Sequence, residues 1–391
     1  MNKKLIVGAT VPVDGKAVSD CALLIGDGKI LEIGYEREIP KDCEVISLEG
    51  GYLVPSFVEL HAHGGGGMDF ADCTKESFDC VMQTHLSHGV TCLCPTLVAS
   101  DWKKTLDFLK FCDLSGKNSF MFGGVHLEGP FLSPEMCGAQ NLSNIILPTN
   151  DKIDELSDFS HILSCITAAP EKNGAELLAK KMTAKGVSMS VGHSNADAKT
   201  MNKAAEWGFD RVTHLFCSTS RRTKQGSYVV GGIEETALID DRFSVELIAD
   251  GHHISRESFL LTMKCKGKNG VAAVSDSMRA AGCADDVTES FLGEKLPENR
   301  VIIEDGVAKL PDRSSFAGSV AVGDTMMQAL CSGYGLPLCD VSYMMSTLPA
   351  KLAGLENCGK IERGATASLT LLDSEYKTRT VFFNGEKVYE K

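Results

Sequence analysis

The sequence predicts an α/β fold: a (β/α)8 TIM barrel with a small β-sandwich domain made from the two chain ends. Three observations carry this. From residue 53 to residue 276, short apolar runs alternate with amphipathic stretches, eight runs in all. Such alternation implies a parallel sheet closed by helices. The two ends of the chain instead read as short strands broken by turn residues. Histidines and carboxylates fall just after the apolar runs, where this fold places its catalytic groups.

The elements follow in order. Residues 1–52 are strand-like pieces interrupted by "DGK", "GDGK" and "LEGG". The eight runs are "LVPSFVEL", "TCLCPTL", "MFGGVHL", "ILSCITAAP", "VSMSVGH", "DRVTHLF", "SVELIAD" and "VAAVSD". Between many of them lie helical patterns: "KESFDCVMQTHLSHG", "DWKKTLDFLKFCDL", "GAELLAKKMTAKG", "DAKTMNKAAEWG" and "SRESFLLTMKCKG". Several end in glycine, a common helix stop. The span from Val54 to Asp276 fits the ~250 residues typical of the barrel. "NRVIIEDGVAKLPDRS" holds the hairpin signal Asp305-Gly306 and reads as an excursion after the eighth strand. The last pieces, "KIERGATASLTLLD" and "TVFFNGEKVYE", resemble the first. The expected division is therefore a discontinuous sandwich of residues 1–53 and 357–391 around a barrel of residues 54–356.

The chain has 391 residues, 43% hydrophobic and 23% charged, enough to bury a large core. No window approaches the ~18 consecutive apolar residues of a membrane span. The opening "MNKKLIVGATVPVDG" has too short an apolar stretch for a signal peptide, so a cytoplasmic location and no membrane partner are expected. Fifteen cysteines, many in apolar runs, read as reduced thiols behaving as small hydrophobes. Cys92 and Cys94 are alternate residues of one strand, and no second pair has zinc-finger spacing. A net charge of −13 argues against nucleic acid, which needs a basic surface. An anionic substrate would need a local basic cluster, and "SRRTKQG" is the densest one.

The polar residues after the runs are specific. In "FVELHAHGGGGMDF", His61 and His63 end the first strand; residues i and i+2 point the same way, so both can hold one ion. Four glycines follow, which let the backbone turn sharply and leave room for a ligand. Glu128 ends the third strand, His193 the fifth, His214 the sixth and Asp276 the eighth; His252 and His253 follow the seventh. One histidine after a strand is usually structural, but four histidines and two carboxylates on one rim point to a metal centre. Imidazole and carboxylate suit zinc, and also iron or manganese. His126 faces the same side as Glu128, either to touch substrate or to stand behind the ligands. His85, His88 and His161 read as structural. "HGGGGMDF" lacks the ending of a nucleotide-binding loop.

With these residues the chain resembles the amidohydrolase superfamily, and within it the N-acetylglucosamine-6-phosphate deacetylases. The resemblance runs from "GGYLVPSFVELHAHG" through "GVHLEGPFLS", "TAAPE", "VGHSNA", "VTHLF" and "IADGHHI" to "VSDSMRAAG", "FAGS" and "GKIERGATASL". It implies that Glu128, His193 and His214 hold a principal metal and that His61 and His63 hold a second where one is bound. It implies that Asp276 is the catalytic acid/base, that His253 contacts substrate, and that the protein is a homodimer. The pocket departs from the family. Cys217-Ser218-Thr219 stands where Asn-Ala-Met is usual, the place of a phosphate-gripping arginine falls near Gln225, and Gln140 replaces a substrate-contacting histidine. Arg221 and Arg222, with Ser218, are the candidates to replace the missing phosphate contacts.

The expected function is metal-dependent deacetylation of an N-acetyl amino sugar, foremost N-acetylglucosamine 6-phosphate. One rival is another amidohydrolase reaction, on a cyclic amide or N-acyl compound. "TAAPE" at the fourth strand lacks the bridging lysine of most binuclear cyclic-amide members. A second rival is a non-catalytic metal- or sugar-binding protein, which would have no need of Asp276.

Overall fold

The computed structural model describes residues 3–35, 43–284 and 286–391. Residues 1–2 and 36–42 of the predicted sandwich, and Asp285, lie outside the described residues. The chain forms two compact units: residues 1–59, 83–92 and 322–391, and residues 60–82 and 93–321.

The first unit carries an eight-stranded sheet from both chain ends. Lys3–Val13, Lys16–Gly26 and Lys29–Tyr35 form an antiparallel meander. Its turns are Asp14-Gly15 and Asp27-Gly28, and Asn384-Gly385 joins the last two strands, Thr378–Phe383 and Glu386–Glu390. All six turn residues have positive φ. That is what a two-residue hairpin matched to strand twist requires, and why Asp-Gly and Asn-Gly occur there. Tyr52–Pro55 pairs with Leu369–Leu372 and meets the first strand at Thr10. Ile6, Leu23, Ile30, Leu53, Leu369 and Phe382 share one buried cluster, so both chain ends contribute to a single core. In this unit His88 pairs with Asp324 at 2.9 Å.

The barrel sheet has eight parallel strands: β1 (Phe57–Ala62), β2 (Val90–Val98), β3 (Val125–Glu128), β4 (Leu163–Ala168), β5 (Ser188–Val191), β6 (Phe209–Val212), β7 (Ser244–Ile248) and β8 (Val271–Val274). Each overlaps one predicted run, although the first half of "LVPSFVEL" belongs to Tyr52–Pro55 of the other sheet. The ring closes just beyond β8, where Asp276 N–H donates to His61 O at 3.0 Å and His63 N–H to Ser277 O at 2.8 Å. Every residue of β1 and β8 is buried, as expected where both faces of a parallel sheet are covered.

The five predicted helices are present, with Asp101, Asp197 and Ser255 as side-chain N-caps and Gly208 in the left-handed conformation ending one of them. Each such cap stabilises its helix by about 1 kcal/mol. Helices Asn150–Ser157 and Ile233–Ile239 were not visible in the sequence, being too short to show a helical period. The excursion after β8 is a three-stranded sheet, and Asp305-Gly306 is its predicted turn. A further hairpin, Thr223–Gln225 with Tyr228–Val230, follows β6.

Candidate metal centre and active site

Six of the predicted side chains converge where β1, β3, β5, β6 and β8 end. Glu128 Oε1 lies 2.9 Å from His193 Nε2 and 2.7 Å from His214 Nε2. Glu128 Oε2 lies 3.4 Å from His63 Nε2, which is 3.2 Å from His61 Nε2 and 3.1 Å from Asp276 Oδ1. All six residues are buried. Two sets of three, His61, His63 and Glu128, and Glu128, His193 and His214, each keep their ligand atoms within 4.8 Å of one another.

The chemistry of this donor set fits a cation. His193 Nδ1 donates to Met136 O at 2.9 Å, and His214 Nδ1 to Cys217 O at 3.1 Å. With the proton on Nδ1, each Nε2 presents a lone pair, and both lone pairs face a carboxylate oxygen. Two facing acceptors need a positive charge between them, supplied by a cation or by a proton on Nε2. The electrostatics favour the charged form of each group. Burial alone would raise the Glu128 carboxyl, but His61 and His193 hold it well below the usual carboxylate range. Burial alone would lower His193 and His61, yet Glu128 raises the first, and Asp276 and Glu128 raise the second well above its ordinary value.

Backbone strain is concentrated at the same residues. His193, His214 and Asp276 have φ of 46°, 30° and 49°, and Phe216 and Ser218 beside them are also left-handed. Left-handed backbone at residues other than glycine costs about 1–3 kcal/mol and collects at functional sites. Here it turns each side chain inward as its strand ends.

The centre opens into a cavity of about 260 Å³ lined by His63, Glu128, His193, His214 and Asp276. Gln140, Cys217, Ser218 and His253 also line it, as do Phe316 and Leu292. His253 Nδ1 donates to Asp250 Oδ2 at 2.7 Å, which leaves Nε2 as the ring nitrogen available to a ligand. Gln140 Oε1 accepts from Ala99 N–H at 2.7 Å, and its Nε2 lies 3.1 Å from His193 Nε2. Burial pushes the Cys217 thiol up to about 12, so it is a neutral wall and no nucleophile.

The other predicted site residues lie elsewhere. Arg221 and Arg222 are exposed at the start of the hairpin after β6 and do not line the cavity. Among the described residues the cavity lining includes no lysine or arginine. His126 stands behind His61, ring centroids 4.6 Å apart, with Nε2 2.8 Å from Thr167 Oγ1. Burial holds it well below its ordinary pKa, hence neutral. The glycine run does not line the cavity either; it approaches the backbone after β8. A Cβ at Gly64 would come within 2.4 Å of Met68 O and 2.9 Å of Arg279 N, and Gly66 and Gly67 have positive φ. Sequence reasoning missed Asp250, the partner of His253, and the buried pair Arg211 and Glu246 beside His61. The one available signal was a charged residue at the centre of each of two short barrel strands.

Known proteins agree with this geometry. The family model described as "Amidohydrolase family" matches residues 52–388. An N-acetylgalactosamine-6-phosphate deacetylase from Shewanella sp. (strain ANA-3) is 27% identical over 398 residues, covering 98% of this chain and 95% of the relative. Among solved structures, an N-acetylglucosamine-6-phosphate deacetylase from Pasteurella multocida superposes with a TM-score of 0.91 at 25% identity, each chain covered in full. A mutant N-acetyl-D-glucosamine-6-phosphate deacetylase from Mycobacterium smegmatis, in complex with N-acetyl-D-glucosamine-6-phosphate, has a TM-score of 0.91 at 26% identity, with 99% of this chain and 100% of that one covered. The likeness to N-acetylglucosamine-6-phosphate deacetylases expected from the motifs is borne out. With a family match over residues 52–388, and a cluster of histidines and Glu128 able to hold a metal ion at the carboxyl rim of its barrel, the chain belongs to the amidohydrolase family.

Proposed function

We propose that the protein hydrolyses the N-acetyl group of a hexosamine 6-phosphate, N-acetylglucosamine 6-phosphate foremost, to the free amine and acetate. The observation that carries this is the placement of Asp276 on the same cavity as the Glu128, His193 and His214 triad, in a chain whose relatives are named for that reaction. Glu128, His193 and His214 would hold the principal divalent ion, zinc by donor set with iron or manganese as alternatives, and His61 and His63 a second. When bound, such an ion polarises the amide carbonyl and makes water more acidic.

The chain's own residues do the rest. Asp276 carries a carboxylate held below its ordinary pKa by His61 and His63, against the opposing effect of burial. It accepts a proton from the attacking water as the C–O bond forms. It then donates that proton to the nitrogen as the C–N bond breaks, releasing the amine and acetate. His253, fixed by Asp250, presents Nε2 to the substrate, and Gln140, Ser218 and Cys217 form the wall around it.

Acetate release from metal-loaded protein, with and without chelator, tests the reading. N-acetylglucosamine and N-acetylgalactosamine, each with and without 6-phosphate, are the compounds to compare. Activity that survives complete metal removal would exclude it. The lack of a basic residue in the cavity lining favours a second reading, an uncharged N-acyl substrate of the same chemistry. Arg221 and Arg222 separate the two. If they reach the phosphate, Arg221→Ala or Arg222→Ala loses ~10-fold on phosphorylated substrate alone, since a charge-assisted contact contributes ~1.5–3 kcal/mol. Equal activity of all three proteins on both compounds removes these arginines from phosphate recognition.

The remaining readings belong to this proposal. The division into a sandwich of residues 1–53 and 357–391 and a barrel of residues 54–356 is supported by the shared core of the chain ends. A homodimer is supported by family resemblance, and sedimentation velocity checks it. A cytoplasmic location is supported by fifteen free thiols. No helix among the described residues is long and apolar enough to cross a membrane.

A further inference from the structure

On the Nδ1 side of the His61 ring, opposite the ligand cluster, lies a buried ion pair that the hydrolytic reading leaves unused. Arg211 on β6 and Glu246 on β7 are 2% and 1% exposed, with Arg211 Nη1 3.2 Å from Glu246 Oε1. Neither lines the cavity. A buried ion pair is weak evidence for stability, because apolar residues of similar volume serve a core as well or better. Its presence at the centre of two strands therefore asks for another role.

The second oxygen of Glu246 supplies one. Glu246 Oε2 is buried, makes no hydrogen bond among the described residues, and stands 3.6 Å from His61 Nδ1. The other face of the problem is also fixed. His126 packs edge-on against the His61 ring and is itself held by Thr167, so the ring has little freedom to turn. His193 and His214 have their Nδ1 atoms tied to backbone carbonyls. His61 stands near the end of β1, and the group across from its Nδ1 is the Glu246 carboxylate.

We propose that Glu246, clamped by Arg211, is a positioning residue for His61: its charge, 3.6 Å from Nδ1, favours the tautomer with the proton on Nδ1 and so leaves the Nε2 lone pair for the ion shared with His63. This rests on the metal-centre reading above. A carboxylate behind a ligating histidine fixes tautomer and orientation and raises ligand basicity, and its loss weakens metal affinity by ~10–100-fold.

The test uses the full-length protein loaded with Co(II). Affinity is read by competition with a chromophoric chelator, and ligand geometry by the cobalt d–d absorption bands. His61→Ala serves as reference for the contribution of His61 itself. Glu246→Gln is expected to lose ~10-fold or more in affinity for the ion that His61→Ala affects, with altered d–d bands. Because Glu246→Gln leaves Arg211 buried without its counter-charge, the double variant Arg211→Met/Glu246→Leu is measured beside it. That pair is neutral and of similar volume, so it is expected to melt near wild type while showing at least the same loss of affinity. Unchanged affinity and spectrum in the folded double variant overturn the positioning role and leave the metal centre standing. Unchanged affinity in His61→Ala overturns it too. A wild type that takes up no ion overturns the metal centre, and this proposal with it.

Discussion

Asp276→Asn is expected to turn over at least ~100-fold more slowly than wild type while folding and binding metal normally, the usual scale for losing a general acid/base. The substitution isolates the proton transfer. Asp276 has φ 49°, and asparagine is the residue that best tolerates this left-handed backbone after glycine. Its backbone N–H to His61 O and O to Ser319 N–H are untouched, so the closure of the barrel beyond β8 persists. The amide keeps the size and one acceptor oxygen facing His63 but cannot carry the proton from water to nitrogen. The pH profile gives a second readout. In the proposed mechanism the carboxylate is the active form; burial alone would raise its pKa, but His61 and His63 hold it below the ordinary value. The acid limb of kcat/KM is therefore expected below the usual carboxylate range, with activity lost as pH falls through it, and that limb disappears in the variant. Near-normal turnover of Asp276→Asn would remove Asp276 from the mechanism.

The parts of this site that were legible in sequence are those in which backbone position alone fixes where the side chain lies. His61, His63, Glu128, His193, His214 and Asp276 each sit where an apolar run ends, and in a parallel barrel that place faces the rim. Asp305-Gly306 was readable for the same local reason, since two successive positive φ angles leave few residue choices. What was not legible depends on the far side of the barrel. Glu246 lies between Val245 and Leu247, and because every one of these three is buried, polarity along β7 marks no boundary. Its meaning comes from His61, 185 positions earlier in the chain and brought within 3.6 Å only by ring closure. The second-layer acceptors Met136 O and Cys217 O are backbone groups, which no residue type announces. The glycine run misled in one respect. It reads as space for a ligand, whereas Gly64 is small because backbone from after β8 presses on it. Arg221 and Arg222 show the opposite failure: nearness in sequence to His214 did not bring them to the cavity, because the hairpin that follows them carries them outward into solvent.

His193→Asn is expected to abolish binding of the principal metal ion and with it turnover, whereas His61→Ala is expected to lose only a second ion. The distinction follows from how Glu128 is shared. Glu128 Oε1 is within 2.9 Å of both His193 and His214, while His61 Nε2 is 3.7 Å from it and closer to His63 and Asp276. The tighter set is therefore Glu128, His193 and His214, with the Nδ1 atoms of both histidines locked by carbonyls before any ion arrives. Preorganised donors lose little freedom on binding, so this set is expected to take the first ion. Asparagine is the better replacement at His193, where φ is 46°. Alanine tolerates this left-handed backbone less well than asparagine, an effect unrelated to metal. His61 lies in a regular strand, where alanine is free of that objection. Elemental analysis of the purified proteins gives the stoichiometry, and acetate release gives turnover. Glu128→Gln, which belongs to both sets, is expected to lose every ion. A full complement of metal in His193→Asn would overturn the assignment of the principal site, and loss of all metal in His61→Ala would show that the two sets bind as one.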